Sequence, residues 1–229
     1  MKYIVILGDG MADYPVEQLN GKTPLDVAKK PFIDELCKQS LIGLLKTVPD
    51  GMKPGSDVAN LSVLGYNPKE VYTGRSPLEA GSIGINLLDT DVATRANLVT
   101  VSDEPNYADK TMIDYSAGEI STEEAKVLIE FLAQKLNDDI HKLYSGISYR
   151  HCFVTANGSI AGDLTPPHDI TGKPVKGHLP TSDAGKIYLD FMERSYDLLK
   201  DHPINIKRVK EGKNPANSLW FWEKELSLN

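Results

Sequence analysis

The stretch that most limits what this chain can become is YIVILGDG, residues 3–10. Tyr3 to Leu7 is an unbroken apolar, β-branched run with no polar alternation. A strand with one wet face alternates with period two, so an unbroken run predicts a strand buried on both faces, as in parallel sheets. It stops at Gly8-Asp9-Gly10, a glycine-flanked turn that leaves a carboxylate at the strand tip. The run also fails as a secretory leader, because its apolar part is short and no small-residue cleavage site follows.

A doubly buried strand needs layers on either side, and the next segments provide candidates. PFIDELCKQS (31–40) predicts a helix with Pro31 in its first turn. LIGLLKTV (41–48) predicts a second strand, and a helix follows from Ser56 to about Leu64. SPLEAGSIG (76–84) is a further short helix after the loop NPKEVYTGR. The order strand, turn, helix, strand, loop, helix predicts an α/β layer structure with its site at the strand ends. From about residue 90 the texture changes. VATRANLVTV (92–101) and GISYRHCFVTA (146–156) predict strands. STEEAKVLIEFLAQKLND (121–138) predicts a helix opened by a Ser121/Glu124 capping box, with Val127, Leu128, Phe131, Leu132 and Leu136 on one face. A Pro/Gly-rich loop spans 163–180, and AGKIYLDFMERSYDLLKDH (184–202) is a helix that Pro203 ends. Three regions are expected: a main-domain portion at 1–90, an inserted α/β subdomain at 91–210, and a return segment at 211–229.

With 229 residues, 41% of them hydrophobic and 25% charged, the chain can bury a sizeable core. A net charge of −7 argues against a general nucleic-acid or membrane-surface binder, both of which select basic patches. It leaves an anionic small substrate open, since a few clustered arginines override the global sign locally. No apolar run is long enough to span a bilayer. Cys37 and Cys152 lack metal-ligand spacing and read as small core residues of a protein in a reducing, cytoplasmic compartment.

Two positions carry the first chemical signal. Asp9, between glycines at a strand end, is placed either to hold a metal or to close an Asx turn. Ser56, in PGSDVANLSVLGY (54–66), is either a plain helix N-cap or a nucleophile. A helix start presents unpaired N–H groups to an anion, and a bound divalent cation can stabilise a serine alkoxide there. Asp9 and Ser56 together are half of a metal-assisted nucleophile site.

VILGDGMAD, PGSDVANLSVLGY, YTGRSPLEAGSIG and RANLVTV resemble the archaeal-type cofactor-independent phosphoglycerate mutases of the alkaline phosphatase superfamily. So do SAGEISTEEA, SYRHCFV, TPPHDITGKP, HPINIKR and GKNPANSLWFW, in the same order from residue 1 to about 222. The resemblance implies an alkaline-phosphatase-like layered parallel sheet, present in part, with an inserted α/β subdomain that clamps substrate. It implies interconversion of 3- and 2-phosphoglycerate through a phosphoserine, with two divalent ions, Mn or Mg. By position, Asp9 and Ser56 become metal ligands and Ser56 the nucleophile. Arg75, Arg95, Arg150, His151, His168, Asp169 and Arg208 are the clamp candidates, because a planar guanidinium can grip carboxylate or phosphate through two hydrogen bonds. For each arginine the plainer reading is a solvated surface charge. His141, His178 and His202 match no catalytic pattern.

In that family a second half supplies further strands and the remaining metal ligands, including an Asp-His pair, and nothing after Trp222 resembles it. This chain alone is therefore expected to have little activity. Two other readings stay open: a homoserine kinase-like member of the same family, and a non-catalytic binding protein that keeps the clamp. The partner expected is a small phosphorylated carboxylate, with no nucleic acid and no membrane. The sequence leaves the oligomeric state undetermined.

Overall fold

The structure, a computed structural model, describes residues 2–8 and 10–227. It divides into two compact units, residues 1–46 and 47–229.

The first unit contains helices α1 (Pro24–Val27) and α2 (Pro31–Lys38), each with proline in its first turn. Thr23 and Asp26 cap α1 reciprocally, each side chain bonding the other residue's N–H. The run 3–7 and the part of 41–48 in this unit, both expected as parallel strands, form no strand here. Ile6 is 91% exposed and Leu41 and Leu44 are also bare. A doubly buried strand needs hydrogen-bonded neighbours and a covering layer on each face, and the described residues pair no strand with these runs. Cys37, expected in a core, is likewise exposed.

The second unit is built on five strands. In chain order its main elements are α3 (Ser56–Val63), α4 (Pro68–Val71), α5 (Arg75–Ser82), β1 (Val92–Val101), β2 (Met112–Asp114) and α6 (Thr122–Leu136). Then come β3 (His141–Ile147), β4 (Arg150–Thr155), α7 (Lys186–Leu199), α8 (Pro203–Lys210) and β5 (Ser218–Leu226). The α/β class expected from sequence holds, but the sheet's sense differs: every pairing is antiparallel. β1 is the inner strand, paired along 92–97 with β4 and along 92–99 with β5. β3 extends the sheet beyond β4, and β2 joins the far end of β1.

All ten residues of β1 are buried because both faces of the sheet are covered. Alternation sorts them. Ala96 and Leu98 of β1 and Phe153 of β4 belong to the main core, with Leu128 and Leu132 of α6 and Phe191 of α7. Phe153, Phe191 and Phe221 pack edge-on or tilted, with centroids 4.9 Å apart for Phe153 against each of the other two. Ala93, Cys152 and Val154 point the other way and meet Ala80 of α5.

Local signals explain most boundaries. Ser121 Oγ accepts the Glu124 N–H at 3.2 Å, so half of the expected capping box forms. The other half is missing because the Glu124 carboxylate is drawn to Arg208. On α6 the buried face is Ala125, Leu128, Ile129, Leu132 and Leu136, whereas Val127 is 49% exposed. The run 146–156 is not one strand: Ser148, at φ 53°, turns a hairpin between β3 and β4. The helix expected over 184–202 is shorter, Lys186–Leu199, and Pro203 opens α8 as its first residue. Among the described residues no helix is long and apolar enough to cross a membrane.

Candidate functional site

Ser56 is exposed and is the first residue of α3. The N-cap is Gly55, and among the described residues no side chain caps this helix, so the expected Ser56 cap bond does not form. The nearby carboxylate takes up one amide of the first turn. Asp57 Oδ1 accepts the Val58 N–H at 2.9 Å, and Oδ2 accepts the Tyr72 hydroxyl at 2.5 Å. Burial pushes the Asp57 carboxyl upward, but these hydrogen bonds outweigh it and hold the group below the usual carboxylate range. Burial and the Asp57 bond raise the Tyr72 phenol well above its ordinary value, so it stays a donor.

Arg75 also favours the ionised form of Asp57 and begins α5. Its Nε donates to Glu79 Oε1 at 3.1 Å, one helical turn on. The other Glu79 oxygen lies 3.0 Å from Arg95 Nε, close enough for an ion pair though not aligned as a hydrogen bond. Arg95 NH1 donates to Glu223 Oε2 at 3.0 Å, and its guanidinium carbon sits 3.8 Å over the Trp222 ring. The two arginines differ sharply in setting. The Arg95 side chain is 6% exposed and that of Arg75 is 47% exposed. Arg95 is packed under Trp222 with two carboxylates on it, whereas an exposed i,i+4 pair contributes about 0.3–0.5 kcal/mol. Arg95 is a fixture and Arg75 can exchange partners.

The start of α5 is tied to β5. Ser76 N–H donates to Glu225 Oε2 at 3.2 Å, and Ser76 Oγ donates to the Glu223 carbonyl at 2.6 Å. Gly74, at φ 137°, makes this possible, because a Cβ there would sit 2.0 Å from Glu225 Cγ. Burial raises the Glu225 carboxyl above its usual value.

From Trp222 the contacts continue through aromatic edges. The His168 ring lies 5.1 Å from Trp222 and 6.1 Å from Tyr115, Tyr115 meets Tyr149 at 5.9 Å, and Arg150 lies 5.8 Å from the Tyr149 ring. Arg75, Arg95, His168 and Arg150, far apart in sequence, are thus linked along one path. Asp169 is exposed beside His168, with 3.7 Å between Oδ1 and Nε2. Arg150 also lines a pocket of about 140 Å³ with Glu79, Ser82, Ile83 and Cys152. Burial pushes the Cys152 thiol up to about 12, so it stays protonated.

His151 also lines this pocket, whereas Arg208 lies in another setting. His151 shares the strand parity of Phe153, on the main-core side. Its Nδ1 accepts the Gly146 N–H at 3.1 Å, which leaves the proton on Nε2, a buried atom with no protein partner. Burial lowers its pKa to about 3, so the ring is neutral. Arg208 is 3% exposed and fully engaged: NH1 with Glu124 at 2.5 Å, NH2 with the Ala117 carbonyl at 2.6 Å, and Nε with the Asn214 carbonyl at 2.9 Å. It ties α8 to α6 and the loop before it. Asp9 lies outside the described residues. Among the described residues no three His, Cys, Asp or Glu side chains gather where they could hold a metal ion. They do not by themselves fit a two-ion centre.

Residues that sequence reading passed over are Asp57, Tyr72, Glu79, Glu223 and Trp222. The i,i+4 spacing of Arg75 and Glu79 was a usable signal, but nothing local brings Glu223 to Arg95 across 128 positions.

Fold and site together define an α/β chain that presents an uncapped helix start with an exposed serine and, through Asp57, an arginine–carboxylate array. The profile of one family, described as 2,3-bisphosphoglycerate-independent phosphoglycerate mutase, matches residues 37–205. Proteins of that name from Methanosarcina barkeri and Methanosarcina mazei are each 49% identical to this chain, covering 97% of it and 54% and 55% of themselves. A probable one from Geobacter sulfurreducens is 48% identical, over 97% of this chain and 55% of its own. Among solved structures, the PH0037 protein from Pyrococcus horikoshii superposes with a TM-score of 0.68 at 28% identity, covering 96% of this chain and 50% of that one. The cofactor-independent phosphoglycerate mutase from Thermoplasma acidophilum does so with 0.58 at 26%, covering 96% and 58%. The chain belongs to the 2,3-bisphosphoglycerate-independent phosphoglycerate mutase family, and it spans about half the length of the curated relatives it matches.

Proposed function

We propose that this chain carries the nucleophile and part of the substrate clamp of a cytoplasmic phosphoglycerate mutase. The observation that supports this best is the exposed Ser56 at an uncapped helix start, joined through Asp57 and Tyr72 to the arginine array. In the proposed reaction Ser56 Oγ bonds to the phosphorus of 3-phosphoglycerate as the bond from phosphorus to the C3 oxygen breaks. The serine proton passes to that oxygen. The reverse step moves the phosphoryl group to the C2 oxygen and leaves Ser56 free. The N-terminal end of α3 and Arg75 would face the transferred charge, and Arg150 with His168 would hold the carboxylate end. The two divalent ions of this reading, Mn or Mg, would take Ser56 as one ligand and need the others from groups beyond the described residues.

The test is transfer itself. In a full-length version that carries the remaining metal ligands, phosphate is expected on Ser56 with 3-phosphoglycerate, and Ser56→Ala is expected to abolish both this and isomerisation. A Ser56→Ala protein that still isomerises ends the assignment. Activity with ATP and homoserine in place of 3-phosphoglycerate would move the chain to the kinase reading.

A further inference from the structure

We infer that Glu79 is a built-in stand-in for the substrate's anion: it occupies Arg75 in the free protein and yields it when an anion binds. The identity of the anion, a phosphorylated carboxylate, rests on the mutase reading, but the exchange itself rests on geometry.

Three observations carry it. Glu79 divides its oxygens between two arginines of unequal fixity. Arg95 keeps Glu223 and the Trp222 face whether or not Glu79 stays, so the loss of one partner does not strand it. Arg75 is half-exposed, and its ion pair is of the exposed helical kind that water and other anions readily replace. Glu79 also forms part of the wall of the pocket that Arg150 lines. While Glu79 holds Arg75, that pair carries no net charge and offers an incoming anion little attraction. Once Arg75 turns to the anion, Glu79 remains on Arg95 and steadies it. Glu79 is thus a positioning residue, acting through Arg75 and Arg95.

The experiment is calorimetric titration of the full chain with 3-phosphoglycerate and, separately, with inorganic phosphate. Wild type is compared with Glu79→Gln, Arg75→Gln and the double variant, and folding is checked by tryptophan fluorescence. Removing an exposed competitor is expected to tighten Kd roughly two- to five-fold in Glu79→Gln, the range that the loss of one exposed ion pair allows. Arg75→Gln is expected to weaken binding, and adding Glu79→Gln to it is expected to gain nothing. A merely structural Glu79 would instead give weaker or unchanged binding, which overturns the inference. So would a gain that persists without Arg75, because that is a general field effect. No binding by any variant overturns it too. Should Glu79→Gln fail to fold, Glu79→Ala takes its place in the same cycle, and unchanged affinity in Arg75→Gln refutes the exchange on its own. If inorganic phosphate shows the full pattern and 3-phosphoglycerate binds no better, the exchange stands and the mutase reading falls.

Discussion

Residues 3–7 and 92–101 invite comparison because their fates run against their compositions. The first is the purer apolar run, yet it forms no strand and Ile6 is 91% exposed. The second carries Thr94, Arg95, Asn97 and Thr100, yet every one of its ten residues is buried. The difference is company. Val92–Val101 has β4 and β5 on its two edges, main-core side chains on one face and α5 on the other, and its polar groups are paired. Thr94 meets the Tyr188 hydroxyl at 3.1 Å, and Asn97 accepts from Trp222 Nε1 at 2.9 Å and donates to the Tyr115 carbonyl at 3.0 Å. Burial follows the number of partners a segment finds rather than its own hydrophobicity.

That contrast can be broken by denaturation of variants. The largest effects are expected in the second unit. Phe153→Ala removes a fully buried ring that packs against Phe191 and Phe221, and is expected to cost about 3–5 kcal/mol in urea unfolding. Arg208→Met, which strands the Glu124 carboxylate and two carbonyls, belongs in the same range of about 3–5 kcal/mol. A loss below 1 kcal/mol in both would show that the second unit is far less cooperative than its burial implies.

His151 sharpens the comparison through pH. Its pKa is about 3 in the folded chain, well below the ordinary histidine value, because burial disfavours the charged ring. The unfolded chain binds the extra proton between those two values, so the stability from a neutral His151 is complete above about pH 6.5. It is lost progressively as pH falls toward 3. Thermal melts across that window should show the decline, and His151→Gln should flatten it. A decline unaltered in His151→Gln would place the titrating group elsewhere. The smallest effect belongs to the exposed run. Ile6→Ala is expected to change stability by no more than about 0.5 kcal/mol, and a cost like that of Phe153→Ala would refute the comparison.

Much of the local structure was legible in the residues. The bounds of β1 match VATRANLVTV, the 56–64 and 76–84 helices fall within a residue or two, and Ser121 caps α6 as its spacing predicts. The buried stripe of α6 was misplaced because helical spacing alone cannot say which of two apolar edges turns inward. There Ile129 won over Val127. The 146–156 run hid a hairpin, since Ser148 and Tyr149 carry no glycine or proline to mark the turn. Of the site, Arg75, Arg95, Arg150 and His168 were visible as residues worth watching. Their carboxylate and aromatic partners were not.

What the sequence determined by itself was the set of short-range decisions: which segments coil, where they are capped, which residues can bind an anion. These depend on neighbours within a turn or two of chain, where the spacing is written directly. Only the tertiary structure decided that the sheet is antiparallel, that Arg95 is locked while Arg75 is loose, and that His151 is neutral. Each of those rests on atoms brought together across long loops, whose meeting depends on the packing of the whole unit.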